Sequence, residues 1–309
     1  MTTLLDMINE VSMNLSGYTL QQDRATHITA DVAATASTIA APITLSLAST
    51  DSVGKGVVEI DEELFWVDNY DRVGNTATIA PYGRAYLGTT LAAHTAGTKV
   101  TIAPTFPRFT IKRAINDTIS AIGSSIFAAK TTTITSNSAV SAFRLPSGTA
   151  TTLSIRNILS IAYQALGASK EWIPIRNYRF DGSANTTAFT SGQTVSIYDY
   201  IPSGRTVQIA YSTDPVAFTT NTDVFTTQTG LPESCKDLVI LGATYRLLSN
   251  LDPARASMVS PQADETDSKR PYGSSQSLTK QVYALFNQRL NEEIKKQQDK
   301  YPIRVHYSL

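Results

Sequence analysis

The densest group of ionisable side chains is Asp61-Glu62-Glu63, with Asp68 and Asp71 close behind. Paired carboxylates of this kind serve as general acid and base, or as oxygen ligands for calcium. No second acidic cluster stands at a spacing that completes a ligand set, so solvated acids in a β-turn are the expectation. His94 is a candidate base, but no acid or nucleophile lies at a recognisable spacing from it, and a turn or core histidine is expected. Cys235 stands at a helix start, where the dipole would lower a thiol pKa; the simpler reading is a small helix-start residue. Three histidines and one cysteine are too few for a zinc cluster. Neither a Gly-x-Ser-x-Gly elbow nor a phosphate loop occurs. No catalytic residue, metal or cofactor is therefore expected.

Two further groups could make contacts. Trp66, Trp172 and the 14 tyrosines suit a sugar platform, although such aromatics more often serve as core or subunit-interface residues. Near the C-terminus, Lys295, Lys296, Lys300, Arg304 and His306 are basic, and Ile303, Val305, Tyr307 and Leu309 alternate with the last of them. That pattern fits a solvated face, a contact to DNA or an acidic protein, or a strand awaiting a partner's sheet edge.

Composition narrows the field. The 309 residues are 42% hydrophobic and only 17% charged, which argues against a disordered tail. Lys and Arg total 26, as do Asp and Glu, which excludes a clamp that binds by neutralising phosphates. About 40 threonines among so few charges point to β-rich modules packed against neighbours. No apolar run reaches membrane-spanning length. Asp6 and Glu10 interrupt the Leu4-Leu5 start and no basic region precedes it, so a signal peptide is not expected and the chain is placed in the cytoplasm.

These side chains need elements to position them. Leu4, Ile8, Val11 and Leu15 share one helical face, with Thr2 or Thr3 available as a cap. Residues 18–41 read as a long connection or loosely packed arm. Short β runs follow at Ile43 to Leu47, Val57 to Ile60, Phe65 to Val67, Thr76 to Ala80 and Lys99 to Ile102, between glycine-rich turns. Pro107 opens a second helix carrying Ile111, Ile115, Ile119, Ile122 and Ile126, frayed at Gly123. Residues 131–229 return to strands at Thr131 to Thr135, Ile173 to Phe180, Thr194 to Tyr198 and Thr206 to Tyr211, while Leu153 to Leu166 suits either a strand or a short helix. Turns include Pro146-Ser147-Gly148. A third helix runs from Pro232 to Asn250, with a fresh cap at Asp252-Pro253, a polar loop at Pro261 to Ser275, and a last helix from Ser277 to Gln298. The last helix places Leu278, Val282, Leu285, Phe286, Leu290 and Ile294 on one face.

Helices with apolar stripes, separated in sequence by β units, are most simply accommodated by an α+β fold: a helical bundle interrupted by two β insertions, a small β module and a β-sandwich-like domain. The expected divisions are 1–41 (N-terminal helix and arm), 42–104 (small β module), 105–130 (core helix), 131–230 (sandwich-like insertion), 231–300 (C-terminal helices) and 301–309 (tail).

One segment resembles a known module. Ile60-Asp61-Glu62-Glu63-Leu64-Phe65-Trp66-Val67, Tyr82 through Thr90, Ala92-Ala93-His94 and Ala96-Gly97-Thr98-Lys99-Val100 resemble a small β module that recurs in structural proteins of tailed bacteriophages. The motif positions are Asp61, Glu63, Gly83, Arg84, Gly88, Thr89, His94 and Gly97, and this sequence has Ala85 where glycine is commoner. Gly83 and Gly88 permit tight turns, and His94 can tie a loop through hydrogen bonds. Trp172-Ile173-Pro174-Ile175, Phe189 to Gly192, Ile201 to Gly204, and Leu231-Pro232-Glu233-Ser234 with its helix resemble head-to-tail connector proteins of long-tailed phages. The matched segments cover about half the chain.

The resemblance implies a non-enzymatic head-to-tail adaptor of the virion neck, made in the host cytoplasm. It implies a dodecameric ring below the portal, a downstream stopper or tail-completion protein, and genomic DNA passing through without sequence-specific binding. Ile303, Arg304, Val305, His306, Tyr307 and Leu309 would then engage the portal. Two other classes fit the residues: a tail-fibre or baseplate subunit binding host glycans, and a cell-wall hydrolase using Asp61 to Glu63.

Overall fold

The computed structural model describes residues 1–19, 23–35, 37–137, 139–145, 155–167, 170–249 and 274–302. Helix makes up 31% and strand 30%, so the chain is α+β. It divides into two compact units, one of Leu5–Ile115 with Ile240–Val282, the other of Met1–Leu4, Asn116–Val239 and Tyr283–Leu309.

In the first unit, helix α1 (Leu4–Thr19) buries Met7, Ile8, Val11 and Leu15, the stripe expected from their spacing. Six strands follow: β1 (Arg24–His27), β2 (Ile43–Ser46), β3 (Gly56–Ile60), β4 (Glu63–Asp71), β5 (Thr76–Ile79) and β6 (Lys99–Ile102). A short helix, α2 (Ser37–Ala40), lies between β1 and β2. All strand pairs are antiparallel, in the order β1-β6-β3-β4-β5-β2. The two edges also meet. Ile28 bridges Leu47, with Thr29 N–H donating to Ser46 O and Ala48 N–H to His27 O, both at 2.9 Å. Closure leaves the sheet no free edge there and encloses Ile28, Leu45, Ile60, Phe65, Val67 and Ile79 in one core.

The arm expected over residues 18–41 thus contains a strand. Arg-Ala-Thr-His has no apolar alternation to announce it; pairing with β6 defines it, and only the following Ile28 points into the core. Helix α3 (Arg108–Ile122) begins just after Pro107, and its first N–H, on Arg108, donates to the buried Glu59 carboxylate of β3.

In the second unit, β7 (Ala128–Thr135), β8 (Ala142–Arg144), β9 (Ile155–Gln164), β10 (Trp172–Ile175), β11 (Tyr178–Asp181), β12 (Thr194–Ile197) and β13 (Thr206–Thr213) form two antiparallel sheets. Their orders are β10-β9-β13-β7 and β11-β12-β8. Both contribute to one core, which includes Ile161, Ile175 and Ile209 from the first and Val195 and Ile197 from the second. Leu153 to Leu166, open between strand and helix, contains β9, which pairs along β13. The single strand expected over Ile173 to Phe180 is two strands in different sheets. The break falls at Arg176 and Asn177, whose N–H groups both donate to the Asp199 carboxylate.

A short helix not foreseen, α4 (Phe225–Thr229), follows, and the Thr2 hydroxyl donates to Glu233 at 2.6 Å. A 3-10 turn at Glu233–Cys235 leads into α5 (Lys236–Ser249). The last helix, α6 (Ser274–Lys300), extends beyond its expected ends. Leu285, expected on its apolar face, is 44% exposed, while Val282, Phe286 and Glu293 are buried. Those three fall on one stripe at spacings of four and seven, and Leu285 sits one residue to the side. The turn at Pro146-Ser147-Gly148, the stop and cap at Asn250 to Pro253, and the loop from Pro261 lie outside the described residues.

Candidate functional site

The β3–β4 hairpin turns through only two residues, Asp61 and Glu62, placing Ile60 opposite Glu63. Asp61 adopts a left-handed φ of 55°, which Asp tolerates better than most residues. Glu63 then points inward, where its carboxylate accepts five hydrogen bonds. Arg84 supplies two, from Nε at 3.0 Å and Nη2 at 2.9 Å; the others come from Ala85 N–H at 3.0 Å, Ala92 N–H at 2.9 Å and His94 Nε2 at 3.0 Å. The other ring nitrogen of His94 meets Asp61 Oδ2 at 2.8 Å. Arg84 also donates to the carbonyls of Ala33 and Ala92, and its guanidinium lies 5.0 Å from the Phe65 ring centroid.

Burial opposes ionisation of Glu63, but the hydrogen bonds from His94, Arg84, Ala92 and Ala85 outweigh it and hold the carboxyl at about 2. Burial likewise opposes charge on His94, yet Glu63 and Asp61 raise its pKa and favour the imidazolium, which donates from both nitrogens. Two acids and two bases therefore sit in a closed, mutually satisfied set.

The pattern at Asp61 to Glu63 predicts solvated acids, and Glu63 departs from it, because its side chain is inaccessible to solvent. Glu62 pairs with Lys112 at 3.1 Å, while Asp68 and Asp71 are exposed. A carboxylate with every oxygen engaged and a histidine held between two acids are poorly placed to move a substrate proton. Their effect is to anchor the segment from Tyr82 to His94 against β4.

The remaining motif positions shape that segment. A side chain at Gly83 would stand 2.8 Å from Ala80 O and 2.9 Å from Trp66 O, too close for any Cβ. Gly88 and Gly97 hold φ of 80° and 89°. Thr89 accepts the Leu64 N–H at 3.1 Å and donates to Tyr86 O at 3.0 Å. Ala85, the departure from glycine, adopts φ 49° and ψ 35°. Leu87 and Tyr82 are left-handed too, and both side chains face solvent, at 70% and 72% exposure. Tyr86 packs on the partly exposed Trp66 with centroids 5.3 Å apart. The buried ions thus hold a loop of left-handed residues from which the Tyr82 and Leu87 side chains point outward.

Cys235 is buried, and burial together with Glu293 pushes its thiol up to about 12, opposite to a dipole-activated thiol. Glu293, which sequence reasoning missed, accepts from Ser234 at 2.9 Å and Lys296 at 2.6 Å; the signal was an acid in register with Phe286. Trp172 and Ile173 are partly exposed on β10. Lys300 lies 5.4 Å from the Tyr301 ring centroid. Ile303, Arg304, Val305, His306, Tyr307 and Leu309 lie outside the described residues. Among the described residues, no group of three His, Cys, Asp or Glu is arranged to hold a metal, and no helix is long and apolar enough to cross a membrane.

No curated protein matches the chain. A family model described as SU10 adaptor protein matches residues 89–306, well over half of the sequence.

Proposed function

The chain belongs to the SU10 adaptor protein family, and we propose that it is a head-to-tail adaptor: a virion structural protein that joins capsid to tail in the neck and works by assembly, not catalysis. Family membership carries this reading. In it, copies form a ring of twelve below the portal and extend the DNA channel toward a stopper or tail-completion protein. The helices form a bundle interrupted by the closed β module and the sandwich-like pair of sheets, and the β units supply lateral contacts through surfaces such as the Tyr82 to Leu87 loop. Residues 303–309 engage the portal. Balanced charge, with 26 cations against 26 acids, suits a conduit that DNA must traverse without being trapped.

Imaging the purified protein with its portal tests the reading. Rings matching the portal's symmetry are expected; isolated elongated trimers would instead indicate a fibre. Deleting Ile303 to Leu309 should leave filled heads that do not join tails. Truncated particles that still join tails and retain DNA would refute portal docking by this segment.

A further inference from the structure

Strand β7 is an open edge of the four-stranded sheet. Among the described residues it pairs with β13 on one side and with no strand on the other. In an antiparallel pair, alternate residues turn both backbone groups toward the partner, and the residues between them turn theirs away. Ser136, one step beyond β7 in the same register, donates its N–H to Arg205 O at 2.7 Å. Even-numbered residues of β7 therefore face β13, while Ala129, Thr131, Thr133 and Thr135 direct N–H and C=O to the open side. The last three are exposed. An eight-residue edge without proline or glycine, with Lys130 as its one charge, is a template for another strand.

That edge is already closed at its head. Phe127 belongs to the outward-facing set; its N–H donates to Gln297 Oε1 at 3.1 Å and its carbonyl accepts from Gln297 Nε2 at 2.6 Å. One side-chain amide from α6 thus stands where a neighbouring strand would. Tyr301, just past α6, packs on Phe127 with ring centroids 5.8 Å apart, and Pro302 cannot extend the helix. The chain therefore arrives beside the open edge at Tyr301, and the residues that follow, 303–309, alternate Ile, Val, Tyr and Leu with Arg, His and Ser. Seven extended residues run about 23 Å, matching the seven from Ala129 to Thr135. On β7, Ile134 packs against the core while Thr131, Thr133 and Thr135 face solvent, so a strand with one apolar and one polar face suits the adjoining position.

We propose that residues 303–309 add to the open edge of β7 in the same subunit, as a parallel strand. The direction follows from the Phe127–Tyr301 contact, because both segments leave it at the same end. The contact belongs to the isolated subunit. Portal docking by the same residues would displace them from β7, and either interaction can fail without the other.

Amide hydrogen exchange of the full-length protein, resolved by residue with NMR, tests the pairing. The Thr131 and Thr133 amides should be protected in the full chain and exchange about tenfold faster or more once 303–309 are deleted, while the inward-facing Thr132 and Ile134 amides change little. Val305→Pro combined with His306→Pro removes an N–H from each alternate set of the added strand and should reproduce that loss without shortening the chain. The proposal fails if Thr131 and Thr133 exchange freely in the full chain, or if their protection survives both the deletion and the double substitution. Protection that disappears when the intact protein is diluted would also overturn it, in favour of a second copy as the occupant. The joining of heads to tails after the same deletion reports on portal docking, so the two readings are scored separately.

Discussion

Arg84 meets Glu63 through two parallel hydrogen bonds, Nε to Oε1 at 3.0 Å and Nη2 to Oε2 at 2.9 Å, with neither side chain accessible to solvent. Removing one partner of such a pair strands a buried charge, which costs about 3–5 kcal/mol. Arg84→Met should therefore lower the urea midpoint of the β module and expose the Tyr82 to His94 segment to protease. An unchanged midpoint with no new cleavage would mean that the pair does not hold the loop.

The same network predicts a pH window. Glu63 sits at about 2 against an ordinary 4.5, so its stabilisation is complete above pH 4.5 and disappears as pH falls toward 2. His94 is raised above its ordinary 6.5; its stabilisation is complete below that value and is lost as pH climbs through the raised one. Both act together between pH 4.5 and 6.5. The stability gap between wild type and His94→Gln should be widest there and narrow on either side, as followed by urea unfolding across pH.

Glu59 behaves in the opposite sense to Glu63. Burial, only partly offset by the Arg108 N–H and guanidinium, raises its carboxyl from 4.5 to about 7. Its contribution is full below pH 4.5 and is lost as pH rises through 7. Glu59→Gln keeps an acceptor for the Arg108 N–H and should stabilise the protein at pH 8 by roughly 2 kcal/mol while changing little at pH 4. Equal effects at both pH values would argue that Glu59 is charged throughout.

Backbone geometry gives two substitutions of opposite sign. Ala85 is held at φ 49°, where an L-residue is strained by about 1–2 kcal/mol and glycine is not. After the greater entropy loss of glycine, Ala85→Gly should gain about 0.5–1 kcal/mol. Gly83→Ala drives a Cβ to within 3 Å of two carbonyl oxygens and should destabilise by about 1–3 kcal/mol. Melting temperatures that move in the same direction for both would contradict this backbone description.

Cys235 should resist alkylation. With a thiol at about 12 and no exposure, it should react with iodoacetamide at pH 8 only after denaturation. Rapid modification of the native protein would show that the segment opens readily.

Much of the local structure was legible in the chain itself. The stripes of α1 and α3, the run Lys99 to Ile102 and the hairpin at Asp61-Glu62 follow from periodicity and turn chemistry, which act between near neighbours. The strand β1 was not legible, because Arg24 to His27 has no pattern of its own and is defined by pairing with residues more than seventy positions away. Nor was the split between β10 and β11, which depends on a carboxylate at Asp199 reaching back to two amides.

The sequence by itself determined which residue types were available: the acids, the histidine, the arginine and the glycines of the module, and the absence of recognisable catalytic spacing. Only the tertiary structure decided that Glu63 turns inward while Asp61 stays at the surface, and that Arg84 and His94 neutralise it from segments twenty to thirty residues downstream. The physical reason is that an isolated carboxylate is stable only in water. Ionised burial becomes possible once closure of the sheet brings five donors to the same two oxygens, and no local pattern along the chain encodes that convergence.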